Sequence, residues 1–114
     1  MDVKVLTTDL DHTHVVLAGR IDPDGVHDRG YEFHKLAAFP HKNLVVDMAE
    51  VSFIASLGIG MLLTAAKELA ATGNKMVLLA PQKLVEGTLR TAGLTGVIHI
   101  SRSLDEALRY LDGY

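Results

Sequence analysis

The second half of the sequence alternates between apolar runs of strand length and segments whose apolar residues recur at helical spacing. This alternation predicts three strands and three helices from residue 43 onward: strands over 44–47, 75–80 and 96–100, and helices over about 57–71, 82–92 and 104–111. Strand, helix and strand in succession imply parallel pairing with right-handed crossovers. Gly73 and Gly93 follow the first two of these helices, a place where glycine commonly ends a helix. The pattern therefore predicts an α/β fold.

The first half of the sequence gives weaker signals. Short apolar runs around residues 3–5 and 15–17 predict two strands, joined by a polar turn over residues 9–13, that form one edge of the sheet. Residues 23–39 predict a poorly formed helix that Asp22 caps, because a proline stands at the first position but two glycines interrupt the segment.

Composition and charge limit the classes of function. A chain of 114 residues with 48% hydrophobic and 22% charged residues fits one domain spanning residues 1–114. The net charge of −3 argues against a nucleic-acid partner, and no run approaches about 18 apolar residues. We therefore expect a cytoplasmic protein without direct membrane insertion. The sequence has no cysteine, which excludes disulfides and thiolate chemistry.

The junction between the predicted strand and the predicted helix that follows it carries a serine, Ser56. The backbone N–H groups of a first helical turn have no partner within the helix. Ser56 is therefore placed either to cap these groups or to carry a phosphate that they stabilise.

The helix after Ser56 is predicted to turn one apolar face toward the sheet, made of Ile59, Leu62, Leu63, Ala66, Leu69 and Ala70. Leu57, Met61 and Thr64 then point away from the sheet. Leu57 and Met61 are four residues apart and stack beside Ser56, and Gly60 has no side chain that would block a partner. This outward face is a candidate docking surface.

The segment from Asn43 to Leu63 resembles the core motif of STAS domains, in particular the bacterial anti-sigma factor antagonists. Gly19-Arg-Ile-Asp22 resembles the turn after the family's second strand, and the segments Leu89–Leu94 and Ser103–Leu108 match its last two helices. The family usually has an aspartate before the serine and a hydroxyl residue after it, whereas this chain has Ala55 and Leu57 there.

The resemblance implies a single domain with a mixed, mainly parallel β-sheet and helices packed mainly on one side. It implies binding of an anti-sigma factor, typically a serine kinase, which frees a sigma factor. The kinase would phosphorylate Ser56, and a serine phosphatase would restore the free hydroxyl. ATP would belong to the kinase, so no cofactor is expected. The expected partner-binding residues are Leu57, Gly58, Gly60, Met61, Thr64 and Asp22.

Two other functions stay open at this point: an accessory subunit of a membrane lipid transporter, and a small-ligand sensor with a pocket near Asp22 and Asp47 at one edge of the sheet. The residues do not support an enzyme, since no set of nucleophile, base and orienting group can be assembled. His27, His34 and His41 recur every seven residues, which is about 10.5 Å along a helix and too far for one metal ion.

Overall fold

The computed structural model describes residues 1–8 and 11–113. Within them the chain forms strands, α-helices and one short 3-10 turn, over the following ranges: β1 Asp2–Thr8, β2 His12–Ile21, α1 Pro23–Ala38, β3 Asn43–Ile54, α2 Ser56–Ala71, β4 Met76–Leu79, α3 Lys83–Thr91, the 3-10 turn Leu94–Gly96, β5 His99–Ser101 and α4 Leu104–Leu111.

The five strands form one sheet in the order β1-β2-β3-β4-β5. Strand β1 pairs antiparallel with β2, and every other neighbouring pair is parallel. The larger hydrophobic core lies between the sheet and helices α1, α2 and α3, and a smaller one lies between the opposite face and α4. The predicted fold class is therefore confirmed: a mixed, mainly parallel sheet with its helices mainly on one side.

Helix α1 is continuous, although the sequence predicted it to be poorly formed. The Asp22 carboxylate accepts a hydrogen bond from Gly25 N at 2.8 Å, which confirms the predicted cap. Phe33 and Ala37 are fully buried in the larger core, so packing compensates for the weak helix propensity of the glycines.

The structure changes three of the predicted boundaries. Strand β3 continues through Ile54, because its second half pairs with residues 18–21 of β2 after the pairing with β4 has ended. The last strand begins at His99 rather than at 96, since a 3-10 turn buries Leu94 before it. Of the predicted turn over residues 9–13, residues 9 and 10 lie outside the described residues, and His12 already belongs to β2.

A buried carboxylate joins α3 to the loop before α4. Glu86 Oε2 accepts hydrogen bonds from Arg102 Nη2 at 2.7 Å and from Arg90 Nε at 3.0 Å, and Arg102 Nη1 also pairs with Oε1. The hydrogen bond from Arg102 and then that from Arg90 lower the pKa of Glu86 from 4.5 to about 2. The cluster therefore stabilises the fold in its ionised form.

We expect Glu86→Gln to lower the stability of the fold near neutral pH. Because the folded carboxyl has the lower pKa, its contribution is fully present above about pH 4.5 and is lost as the pH falls toward about 2. Denaturant unfolding between pH 7 and pH 2 should show the difference between wild type and variant shrinking across this window. Glu50→Gln, at an exposed carboxylate on β3, is the control. A constant difference across the pH range would contradict the assignment.

Candidate partner-binding site

Helix α2 begins at Ser56, and Ala55 is its N-cap. Ala55 has the extended conformation of an N-cap, with φ −97° and ψ 170°, and its carbonyl accepts the first helical hydrogen bond from Ile59 N at 3.1 Å. Alanine offers no side-chain oxygen, so the cap lacks a side-chain hydrogen bond. The capping role that the sequence allowed for Ser56 is therefore wrong, because Ser56 is the first helical residue. Its side chain is exposed.

The start of α2 is an electropositive spot whose own first turn supplies no compensating acid. The first turn of α2 contains no acidic residue, and its early N–H groups have no side-chain cap. A helix N-terminus carries about half a positive charge, and an anion there is stabilised by about 0.3–1 kcal/mol when exposed. A negative group on the Ser56 oxygen would therefore be compatible with the helix.

The two glycines of this turn have different surroundings. Gly58 is buried, and a Cβ built on it would lie 2.5 Å from Ile21 Cγ2 and 3.1 Å from the Ile21 carbonyl oxygen. Outside its own turn of helix, a Cβ on Gly60 would have no atom of the described residues within 4 Å. Gly58 thus lets α2 approach the sheet closely, whereas Gly60 leaves open space on the outer side of the helix.

That open space belongs to an apolar groove between α1 and α2, which we call the α1–α2 groove. It has a volume of about 440 Å³ and is lined by Val26, Gly30, His34, Leu57, Gly60, Met61 and Thr64. Leu57 is 44% exposed at one end. On the lining helices, His34 Nε2 lies 3.3 Å from Glu68 Oε2 and joins α1 to α2. Four of the expected partner-binding residues therefore line a single groove.

The predicted faces of α2 are correct only in part. The fully buried residues are Gly58, Leu62, Ala65 and Leu69, so Ala65 takes the inner position that the sequence assigned to Ala70, which is exposed. Met61, expected to face solvent, is half-buried against the larger core. The physical reason is helix α1, which packs along α2 and covers the Met61 side. Leu57 and Thr64 are exposed, as expected.

Asp22 lies next to the start of α2. Ala55 N donates to the carbonyl of Ile21, the residue before Asp22, at 2.9 Å, so the N-termini of α1 and α2 stand side by side. The Asp22 carboxylate caps α1 and lies 3.7 Å from Arg20 Nε. The hydrogen bond from the Gly25 backbone is the largest cause that lowers the pKa of Asp22.

The pocket suggested by Asp22 and Asp47 does not form. Asp47 lies within β3 rather than at its end, opposite Val16 of β2. From Val16 to Asp22 the chain advances about 20 Å at strand rise, so the two carboxylates are far apart. Asp47 Oδ2 lies 3.9 Å from the buried His14 Nε2, and its Oδ1 accepts from Ala49 N at 3.0 Å.

A second groove, which we call the α2–α3 groove, lies on the other side of Ser56. It has a volume of about 510 Å³ and is lined by Ser56, Ile59, Leu84, Gly87, Thr88, Thr91 and Ala92. Leu84 is 84% exposed, and the sequence prediction missed it. Helical spacing could have predicted that Leu84 is exposed. Val85 and Leu89 form the buried stripe of α3, and Leu84 is rotated about 100° from Val85 around the helix axis.

The residues that the structure describes hold no cluster of three or more His, Cys, Asp or Glu side chains suited to a metal ion. None of their helices is both long and apolar enough to cross a bilayer.

Comparisons with known proteins give a family and a set of similar folds. The family model of the STAS domain matches residues 6–107. The fold is similar to an anti-sigma factor antagonist (STAS) domain protein from Planctomyces limnophilus, with 17% identity and a TM-score of 0.84 over 99% of this chain and 100% of that one. No curated protein matches the sequence.

Two further structures are informative. The anti-sigma factor antagonist SpoIIAA in its unphosphorylated form is 19% identical, with a TM-score of 0.79 over 99% of this chain and 98% of that one. The phosphorylated form of the Bacillus protein has a TM-score of 0.69 at 20% identity, over 96% of this chain and 98% of that one. A murine Solute Carrier 26 anion transporter, member A9, is 15% identical, with a TM-score of 0.69 over 98% of this chain but 22% of the transporter. The likenesses establish the fold.

Alanine substitution at the two glycines of α2 should have opposite effects on stability. Gly58→Ala forces Ile21 or the helix to move, and we expect the free energy of unfolding to fall by about 1–3 kcal/mol. Gly60→Ala adds a methyl group in open space and removes glycine from a helix interior, which should raise it by about 0.5–1 kcal/mol. Urea denaturation of both variants is the measurement. Equal effects would contradict the different packing of the two sites.

A carboxylate at the N-cap of α2 should stabilise the fold. In Ala55→Asp the side chain can accept hydrogen bonds from the free N–H groups of the first turn, so we expect a gain of about 1 kcal/mol by thermal or urea unfolding. Ala55→Asn is the matched variant, because it supplies the same hydrogen bond without the charge. A loss of stability in both variants would show that Ala55 is not the cap residue.

Proposed function

Because the chain belongs to the STAS domain family, we propose that it is an anti-sigma factor antagonist, which binds an anti-sigma factor of the serine-kinase type and so frees a sigma factor. The observation that carries the proposal is the exposed pair Ser56 and Leu57 at the uncapped start of α2, beside the α1–α2 groove. The solved antagonists of similar fold support it. The chain acts by binding rather than by catalysis, in the cytoplasm where sigma factors work.

The groove explains how a folded partner gains affinity here. Leu57 is partly exposed, and covering the rest of its side chain contributes about 1 kcal/mol. Gly60 leaves room for an apolar side chain of the partner, which would rest against Met61 and Val26. Gly58 contributes indirectly, because its missing side chain sets the position of the helix start. Thr64 also lines the groove, whereas Asp22 lies outside its lining, at the adjoining N-terminus of α1.

Phosphorylation of Ser56 would then act on the partner rather than on the fold. A phosphate adds a charge of about −1.5 to −2 and three acceptor oxygens. The N–H groups at the start of α2 stabilise this charge, so the antagonist stays folded. The apolar surface of the partner would have to desolvate the charge, which weakens binding. In this cycle the partner kinase modifies Ser56 and a serine phosphatase reverses the modification.

Ala55 and Leu57 leave no polar side chain next to Ser56 in the sequence. Recognition by the kinase therefore rests on the backbone at the start of α2 and on the surrounding surface.

The transporter-accessory role uses the same family fold and is tested by the same titration, with a transporter ATPase as the partner. The sensor role loses its basis, since Asp22 and Asp47 do not form a joint pocket.

We expect one anti-sigma factor kinase encoded in the same genome to bind the purified chain in calorimetric titration. Ser56→Asp should weaken this binding about a hundredfold, or about 2.7 kcal/mol, because it places a charge in the contact. Ser56→Asn has nearly the same shape without the charge and should stay within about threefold of wild type. Incubation of the kinase and ATP with wild type, but not with Ser56→Ala, should add one phosphate by mass spectrometry.

Three outcomes would count against the proposal. Absence of binding to every such kinase would reject the antagonist role, and binding to a transporter ATPase instead would support the accessory role. Equal affinities of Ser56→Asp and Ser56→Asn would show that charge at residue 56 does not control the contact.

A further inference from the structure

Leu84 is the most exposed large hydrophobic residue of the described part of the chain, and it lines the same groove as Ser56. Its side chain is 84% exposed, on the α3 side of Ser56. We propose that Leu84 is a second apolar anchor for the same anti-sigma factor, so that the partner spans Ser56 from the α1–α2 groove to α3. This inference rests on the proposed function and extends it to an element that the core family motif at residues 43–63 does not include.

The fold itself does not account for Leu84. Val85 and Leu89 already supply the buried face of α3, with at most 1% of each residue exposed. A polar residue at position 84 would serve the helix equally well, since single exposed apolar residues contribute little to a fold. The exposed surface of the Leu84 side chain is therefore free to contact another molecule.

Leu84 forms the wall shared by two hollows. One is the α2–α3 groove, which also includes Ser56. The other is a hollow of about 90 Å³ lined by Ser52, Phe53, Ile54, Leu84, Val85 and Thr88. Phe53 is 38% exposed and lies on β3, three residues before Ser56. Leu84 therefore lies beside Ser56 in one hollow and beside Phe53 in the other, so the exposed apolar residues on this side adjoin one another, as expected for a contact surface rather than for isolated exposed residues.

The charges on this side indicate the chemistry of the partner. The Arg20 guanidinium carbon lies 4.2 Å from the centroid of the Phe53 ring at the edge of the apolar patch, and its Nε also lies 3.7 Å from the Asp22 carboxylate. Lys83, exposed in the first turn of α3, places a positive charge next to Leu84. On the α1 side the exposed charges near the helix start are acidic, at Asp24 and Asp28. The partner surface that covers Leu84 should thus be apolar with carboxylates around it.

The arrangement also predicts a wider effect of phosphorylation. Ser56 lines the α2–α3 groove directly, so a phosphate there would lie between the two apolar anchors rather than at the border of one. A partner seated on both Leu57 and Leu84 would have to pass over the charge. This geometry accounts for an on/off contact better than a surface limited to α2.

The test uses the full chain and the anti-sigma factor kinase that binds it in the titration described above. Leu84→Asp should weaken binding at least tenfold, with a thermal midpoint close to that of wild type. Val97→Asp is the matched control, because Val97 is also exposed, at 64%, but follows the far end of α3 beyond the 3-10 turn; its affinity should stay within about twofold. Leu84→Ser separates loss of apolar contact from added charge and should also weaken binding.

The charge is tested separately. Lys83→Glu should weaken binding and reduce its dependence on salt, because it removes an attraction to carboxylates of the partner. Arg109→Glu, exposed on α4 at the opposite face of the sheet, is the control and should change neither quantity. Equal behaviour of Lys83→Glu and Arg109→Glu would overturn the acidic character of the partner surface.

The two levels of the proposal fail in different ways. If Ser56→Asp and Leu57→Glu weaken binding but Leu84→Asp behaves like Val97→Asp, the antagonist function stands and the extension to α3 is rejected. If no anti-sigma factor kinase binds wild type, the proposed function fails and the second anchor fails with it.

Discussion

The parallel pairing of β2 with β3, continued to their ends, is the constraint on which the rest of the structure depends. The last backbone contact of this pair, from Ala55 N to the Ile21 carbonyl at 2.9 Å, brings the N-termini of α1 and α2 together. Gly58 then allows the first turn of α2 to lie directly on Ile21 and Ile54. A side chain at position 58 would force Ile21 or the helix to move, and a shift of the helix would displace Ser56 and the α2 side of both grooves.

The charges in the structure serve two different purposes. Glu86 is buried and accepts hydrogen bonds from two arginines, so its negative charge is paired within the fold. The start of α2 is the opposite case, since its partial positive charge has neither an acidic residue in the first turn nor a side-chain cap. The fold thus satisfies its buried charge internally and leaves one electropositive helix end exposed at Ser56.

The sequence predicted the order and type of the elements well, because Gly73 and Gly93 end their helices and apolar periodicity defines the second half. Both glycines have φ of +78°, a conformation that glycine adopts at low cost. Periodicity could not show that α1 packs along α2 and covers Met61, since that contact joins segments far apart in sequence. It also could not show that β3 continues to Ile54, because this pairing depends on the register with β2.

The site was predicted in part for the same reasons. The motif placed Ser56 at a helix start, but only the geometry identified Ala55 as the cap and Ser56 as the first helical residue. Leu84 was missed because it belongs to a different helix from the motif, and its nearness to Ser56 is a consequence of tertiary structure.

The open space at Gly60 means that a substitution at this one residue changes the groove without disturbing the packing of α2 on the sheet. A Cβ there would meet no described atom outside its own turn of helix, and a larger side chain would extend into the groove in which a partner is proposed to rest. Gly58, two residues earlier, lacks this freedom, because a side chain there would meet Ile21 and Ile54. The size of residue 60 would therefore change the shape of the α1–α2 groove more than it changes the packing of α2 on the sheet.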